Sequence, residues 1–135
     1  MIGIVIVTHG KFGKAMIESA ELIIGRQKNI IGLGLEHDDS VELLQEEIKK
    51  CIDQVDTGKG VLVFTDVFGG SPANITLKCM KERNNFRGIT GVNMPMLLEA
   101  LSQRGSLELE ELTKRCIKTG TTGVIDLYKQ FIVIA

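Results

Sequence analysis

Few residues in this chain have the type and setting to do chemistry, and they fall in two short stretches. The first is "IVIVTHGKFG", residues 4–13, where a run of β-branched residues ends in Thr8, His9 and Gly10. The second is "DVFGGSPAN", residues 66–74, where Asp66 is followed by Gly69, Gly70, Ser71 and Pro72. A neutral imidazole is a competent nucleophile near neutral pH because its ordinary pKa is about 6.5. A carboxylate that accepts the N–H of one ring nitrogen fixes the tautomer and leaves the other nitrogen's lone pair free to attack. Paired glycines let backbone amides approach a ligand closely, and a helix opening at Ser71-Pro72 presents free N–H groups to an anion. Together these groups suit phosphoryl transfer to the histidine itself, with amides stabilising the equatorial oxygens.

This chemistry requires elements that bring His9 and Asp66 together across a separation of 57 residues. Short apolar runs alternate with segments of helical period. Residues 2–7, "IGIVIV", read as a strand buried on both faces, and 60–66, "GVLVFTD", as another. Residues 29–35 and 86–92 read as two weaker strands. Helices are expected over 11–25, 38–55, 71–83, 95–104 and 107–120. The first has Phe12, Ala15, Met16, Ala20, Ile23 and Ile24 near one stripe, and Ser71 is the expected N-cap of the third. Residues 123–128 read as a last strand, and the apolar end "FIVIA", 131–135, has no assignment.

The alternation specifies an α/β fold, a doubly wound three-layer αβα sandwich with a mainly parallel sheet. Ligands of such folds bind at the carboxyl ends of strands where the order reverses. With strand order 2-1-3-4, that crevice lies between the first and third strands and holds both His9 and Asp66. A chain of 135 residues is one domain, and the family resemblance described below sets its extent at residues 1–127, with 128–135 a tail.

Composition narrows the function classes. Sixteen basic residues balance 17 acidic ones, with no basic stripe, which argues against nucleic acid as the partner. Cys51, Cys79 and Cys116 are dispersed and form no C-x-x-C, so they read as free, core-filling thiols of a reducing, cytoplasmic setting. No apolar run approaches the ~18 residues of a membrane span, and no leader is evident. "GKFGKA" lacks the leading glycine and the hydroxyl residue of a P-loop, no G-x-G-x-x-G follows a strand, and no G-x-S-x-G elbow occurs. A receiver domain would carry an acidic pair where Thr8-His9 stands, and a histidine phosphatase an arginine beside the nucleophile.

Several residues have an ordinary reading beside the chemical one. His37, flanked by acids before a helix, reads as a solvated loop histidine. Thr8 could bond a phosphoryl group or simply end its strand, and Asn74 could order the glycine loop. Met94 and Met96 suit either an adaptable surface or core filling.

"IVIVTHG", "VLVFTDVFGGSPAN", "GVNMPMLLEAL" and "TGTTGV", in that order and spacing, resemble the IIA component of the mannose/fructose/sorbose family of the bacterial phosphoenolpyruvate:sugar phosphotransferase system (PTS). The similarity covers roughly residues 1–127. It implies a phosphotransferase component in which His9 takes a phosphoryl group from the phosphocarrier HPr and passes it to a IIB component. Asp66 would hold the ring, and Thr8, Gly69, Gly70 and Ser71 would line the phosphoryl site. The resemblance further implies no metal or cofactor, indirect contact with the membrane through the IIC and IID components, and a homodimer that exchanges a C-terminal antiparallel strand. Two alternatives remain: a IIA-like subunit of a dihydroxyacetone kinase, whose loop usually lacks the proline of "GGSP", and a regulatory module that reports sugar supply through its phosphorylation state.

Overall fold

Continuous β-branched runs form the centre of the sheet because both of their faces are covered. The computed structural model describes residues 1–135. It contains β1 (Gly3–His9), α1 (Phe12–Ile24), β2 (Ile30–Leu35), α2 (Val41–Val55), β3 (Val61–Thr65), α3 (Ser71–Cys79), β4 (Phe86–Ile89), α4 (Met94–Gln103), α5 (Leu109–Thr122) and α6 (Leu127–Ile134). The strands form one parallel sheet in the order β2-β1-β3-β4, the order the switch-point argument assumed.

Strand alternation divides the interior in two. Ile4, Ile6, Leu62 and Phe64 face Met16, Leu97, Leu112 and Cys116, beneath α1, α4 and α5. Val5, Val7, Val61 and Val63 face Ile48, Ile52, Ile75 and Cys79, beneath α2 and α3. Each fully buried aliphatic side chain contributes about 1.5–3 kcal/mol of transfer free energy, so these layers fix the sheet that carries the site. Cys79 and Cys116 are buried and Cys51 half-buried, all with free thiols.

Caps set several helix starts. The Ser40 hydroxyl accepts the Leu43 N–H, and the Asn93 side-chain oxygen accepts the Met96 N–H at 3.0 Å. The Asn93 amide also donates to Gly120 O, tying the start of α4 to the end of α5. Met96 is a core residue, so core filling is its use here.

Four expectations are corrected. Phe12, Ala15, Ile23 and Ile24 of α1 are exposed, because the helix meets the sheet along the narrower line Gly13-Met16-Ala20. The third helix stops at Cys79 rather than 83, since Met80–Arg83 close in tighter turns onto Leu77, Lys78 and Cys79 carbonyls. Ser71 is not its N-cap; that position belongs to Gly70, and Ser71 is the first helical residue. No strand forms over 123–128 in the single chain: Asp126 instead caps α6, accepting the Tyr128 N–H at 2.9 Å. An extended segment becomes a strand only when it pairs with a sheet edge, and within the single chain this one pairs with none.

Candidate functional site

β1 ends at His9 and β3 at Thr65, side by side at the carboxyl edge of the sheet. Two parallel strands in direct register (Val7 opposite Thr65) therefore deliver His9 and Asp66 to the same point. His9 Nδ1 lies 2.7 Å from Asp66 Oδ2, and the same oxygen accepts the His9 backbone N–H at 2.9 Å. The second oxygen, Oδ1, accepts the Val67 N–H at 3.0 Å. Burial pushes the Asp66 carboxyl upward, but the His9 N–H, the His9 ring and the Val67 N–H favour the charged form. The net effect holds it below the ordinary carboxylate value.

In the neutral imidazole, a carboxylate accepting at Nδ1 selects the tautomer with its hydrogen on Nδ1, in which Nε2 carries the lone pair. The His9 side chain is 52% exposed against 14% for Asp66, so the imidazole is open and the carboxylate that holds it is covered. Nε2 is thus the atom available to a partner.

The loop after Asp66 packs against the ring. A Cβ on Gly70 would lie 3.0 Å from His9 Cε1, close enough that the ring would have to shift, and Gly69 sits at φ +86°, a left-handed conformation. Gly70 N–H is spent on Val67 O at 3.2 Å, closing the turn. Ser71 and Ala73 open α3, so their amides have no helical acceptor and are the donors nearest the loop's mouth. Asn74 donates to Gly69 O at 3.3 Å and orders the loop, as its position suggested. Ser71 is exposed and its hydroxyl is not consumed in capping.

Thr8 is not brought to this surface. It is fully buried, and its hydroxyl accepts the Gly13 N–H at 2.9 Å, satisfying an orphan amide of the first turn of α1. His37 lies exposed in the turn before α2. Residue types alone did not reveal two backbone contributions: the His9 and Val67 amides on Asp66, and the Gly91 N–H on Asp66 O at 3.2 Å, which ties the β4–α4 loop to the site. Also unforeseen was the apolar rim, with Phe12, Val67 and Phe68 all exposed around the histidine loop and the glycine loop. No group of three or more His, Cys, Asp or Glu side chains is arranged to hold a metal ion.

Fold and site together define a doubly wound α/β protein that presents a carboxylate-held histidine opposite a glycine-rich helix start at the switch point. The family model described as "PTS system fructose IIA component" matches residues 3–117, and the chain belongs to that family. It is 35% identical over 124 residues to the PTS system mannose-specific EIIAB component of Escherichia coli (strain K12), covering 91% of this chain and 38% of that protein. The chain thus spans well under half the length of that relative. It is 34% identical over 112 residues to the PTS system fructose-specific EIIA component of Bacillus subtilis (strain 168), covering 83% of this chain and 77% of that protein. Among solved structures, the phosphotransferase system component EIIA from Streptococcus agalactiae superposes with a TM-score of 0.88 at 28% identity, covering 96% of this chain and 99% of that one. The IIA protein associated with the fucose utilization operon of Streptococcus pneumoniae gives 0.84 at 27% identity, covering 96% and 95%. The chain is therefore a PTS IIA component of the mannose/fructose/sorbose type.

Proposed function

We propose that this IIA component is a cytoplasmic phosphoryl carrier, with His9 Nε2 the atom that takes the phosphoryl group from phospho-HPr and hands it to a IIB component. The observation that carries the reading is the single carboxylate oxygen of Asp66 held on both Nδ1 and the backbone N–H of His9, at 2.7 and 2.9 Å. That arrangement fixes both the ring orientation and the tautomer needed for attack through Nε2.

In the forward step the Nε2 lone pair forms a bond to phosphorus as the donor histidine's N–P bond breaks, and the donor nitrogen keeps that electron pair. The His9 ring becomes positively charged while keeping its Nδ1 hydrogen, and the Asp66 carboxylate offsets that charge. The free amides at the start of α3 and the Ser71 hydroxyl bind the phosphoryl oxygens, with Gly69 and Gly70 shaping the approach. Thr8 acts only by anchoring α1 beneath the loop. Transfer onward reverses these bonds, so no metal or organic cofactor is required.

The protein works as a homodimer that exchanges its C-terminal segment, and it meets the membrane only through the IIC and IID components. The absence of any helix long and apolar enough to cross a membrane fits that placement. The test is intact mass after incubation with phosphoenolpyruvate, enzyme I and HPr. Wild type gains one acid-labile phosphoryl group and His9→Ala gains none. A folded wild type that stays unphosphorylated would overturn the reading. Onward transfer offered to IIB proteins and to a dihydroxyacetone kinase core then separates the sugar branch from the kinase alternative.

A further inference from the structure

The turn that carries His9 is also held from β2, a strand that gives the site no side chain. Gly10 follows His9 directly, and its N–H donates to Leu35 O at 2.9 Å, the last rung of the ladder that sets His9 opposite Leu35. Strand alternation turns Leu33 and Leu35 toward the α2 layer, so Gly32 and Gly34 look toward α1. The Gly10 carbonyl lies over Gly34 on that face. A Cβ on Gly34 would overlap the Gly10 carbonyl oxygen and lie 2.9 Å from its carbon.

Gly34 has no left-handed φ, so its backbone conformation does not call for glycine. What excludes a side chain is a neighbouring backbone, which cannot swing aside as the end of a side chain can. Gly10 is the reverse case: it sits at φ +56°, and a Cβ on it would meet nothing within 4 Å. The crowding in this turn is therefore set by residue 34 of β2, not by the glycine of the turn itself.

We propose that Gly34 is a positioning residue for His9. By leaving room for the Gly10 carbonyl it seats the histidine turn low on the sheet edge, where the ring meets Asp66 Oδ2 and lies against the glycine loop. Three successive peptide groups are placed in this way. The His9 N–H is held by Asp66, the Gly10 N–H by Leu35 O, and the Gly10 carbonyl by the space at Gly34. A side chain at 34 forces the carbonyl away from β2, toward the solvent that already surrounds Lys11 and Phe12. The turn can yield because β2 is an edge strand that pairs only with β1. Both cores lie beneath it, so the fold survives while the histidine moves. The consequence for transfer rests on the carrier reading above: a misplacement of about 1 Å at a reacting group costs about 100-fold in rate.

Gly32 supplies the comparison. It shares the strand and the face, but its Cβ would press on Lys14 and Ile17 at 3.0 to 3.2 Å, where the neighbours need give only slightly, and these belong to α1 beyond the turn. The test sets Gly34→Ala against Gly32→Ala in the full chain. Single-turnover transfer from phospho-HPr at saturating donor is expected to slow by about 30- to 100-fold in Gly34→Ala, with the half-saturating donor concentration within about threefold of wild type. Gly32→Ala is expected to stay within about threefold in both. The nitrogen NMR spectrum of the imidazole reads the ring without any phosphoryl group. Wild type and Gly32→Ala are expected to show the Nδ1-protonated tautomer, and Gly34→Ala a mixture of the two.

A wild-type rate and ring spectrum in Gly34→Ala overturn the proposal. So do losses in both variants that only track their melting temperatures, which would make both glycines packing residues. A wild type that takes up no phosphoryl group, with a ring spectrum still altered in Gly34→Ala alone, overturns the carrier reading and leaves the positioning standing. If Gly34→Ala does not fold, amide exchange in the wild type decides. A seated Gly10 N–H exchanges far more slowly than an unstructured amide, and exchange at the free-peptide rate overturns the seat.

Discussion

At the scale of the residue, the site depends on one oxygen. Asp66 Oδ2 serves both the ring and the backbone of His9, so replacing the carboxylate by an amide keeps the shape but removes the charge that, in the proposed carrier, favours the ring's cationic, phosphorylated form. Asp66→Asn is expected to slow phosphorylation by phospho-HPr by about 100- to 10,000-fold, the range of orienting and proton-managing groups, measured by single-turnover transfer. The same change has a pH signature. The folded carboxyl lies below its ordinary value of 3.8, so its stabilisation is present above that value and is lost as pH falls through the folded one. Melting temperatures of wild type and Asp66→Asn are therefore expected to differ at pH 7 and to converge as pH drops below 3.8. A gap that persists in acid would remove the charge from the explanation. The meeting of His9 and Asp66 at the sheet's carboxyl edge was legible in the sequence because strand end and fold rule agreed. The inward turn of Thr8 was not, because a strand's last residues reveal their facing only once the register with the neighbouring helix is known.

At the scale of the element, the periodic segments were legible and their edges were not. β1 and β3 are continuous, mostly β-branched apolar runs, whereas the stripe of α1 was drawn too wide because Phe12, Ile23 and Ile24 are apolar yet exposed. One residue that joins elements carried no signal at all. Arg104 follows α4 and is 3% exposed, and its guanidinium donates to the carbonyls of Ile2, Lys28 and Asn29 and to Gln27 Oε1. It binds the start of β1 to the turn before β2 at the end of the sheet opposite His9. Burial lowers its pKa, yet arginine stays charged, and the carbonyls stand in for a counter-ion. Arg104→Met keeps much of the stem's volume and orphans those oxygens. It is expected to cost about 2–4 kcal/mol, read as a lower urea midpoint at unchanged slope, with phosphoryl transfer at room temperature intact. Loss of transfer in a still-folded variant would mean the residue does more than staple.

At the scale of the whole molecule, the apolar surface is concentrated where the chain ends. Val124, Ile125, Leu127, Tyr128, Phe131, Ile132, Val133 and Ile134 are all exposed, and α6 has no buried residue. Scattered apolar exposure is ordinary, but a contiguous run of this kind marks an interaction surface. The sequence showed the run and could not place it, because nothing within the chain covers it. A parallel sheet with β4 uncovered likewise has a free edge that natural proteins seldom leave bare. If both are completed by a second copy, stability must follow mass action: the melting temperature rises with protein concentration, because folding and association are linked. The expected result is a steady upward shift across a hundredfold concentration series for wild type. A flat line for wild type would mean that the segment is covered by something other than this chain. The mainly apolar groove between α3 and β4, which ends at Phe68, would then be open in the working protein, and the loop that carries Asp66 would gain its support only when a phosphoryl partner docks.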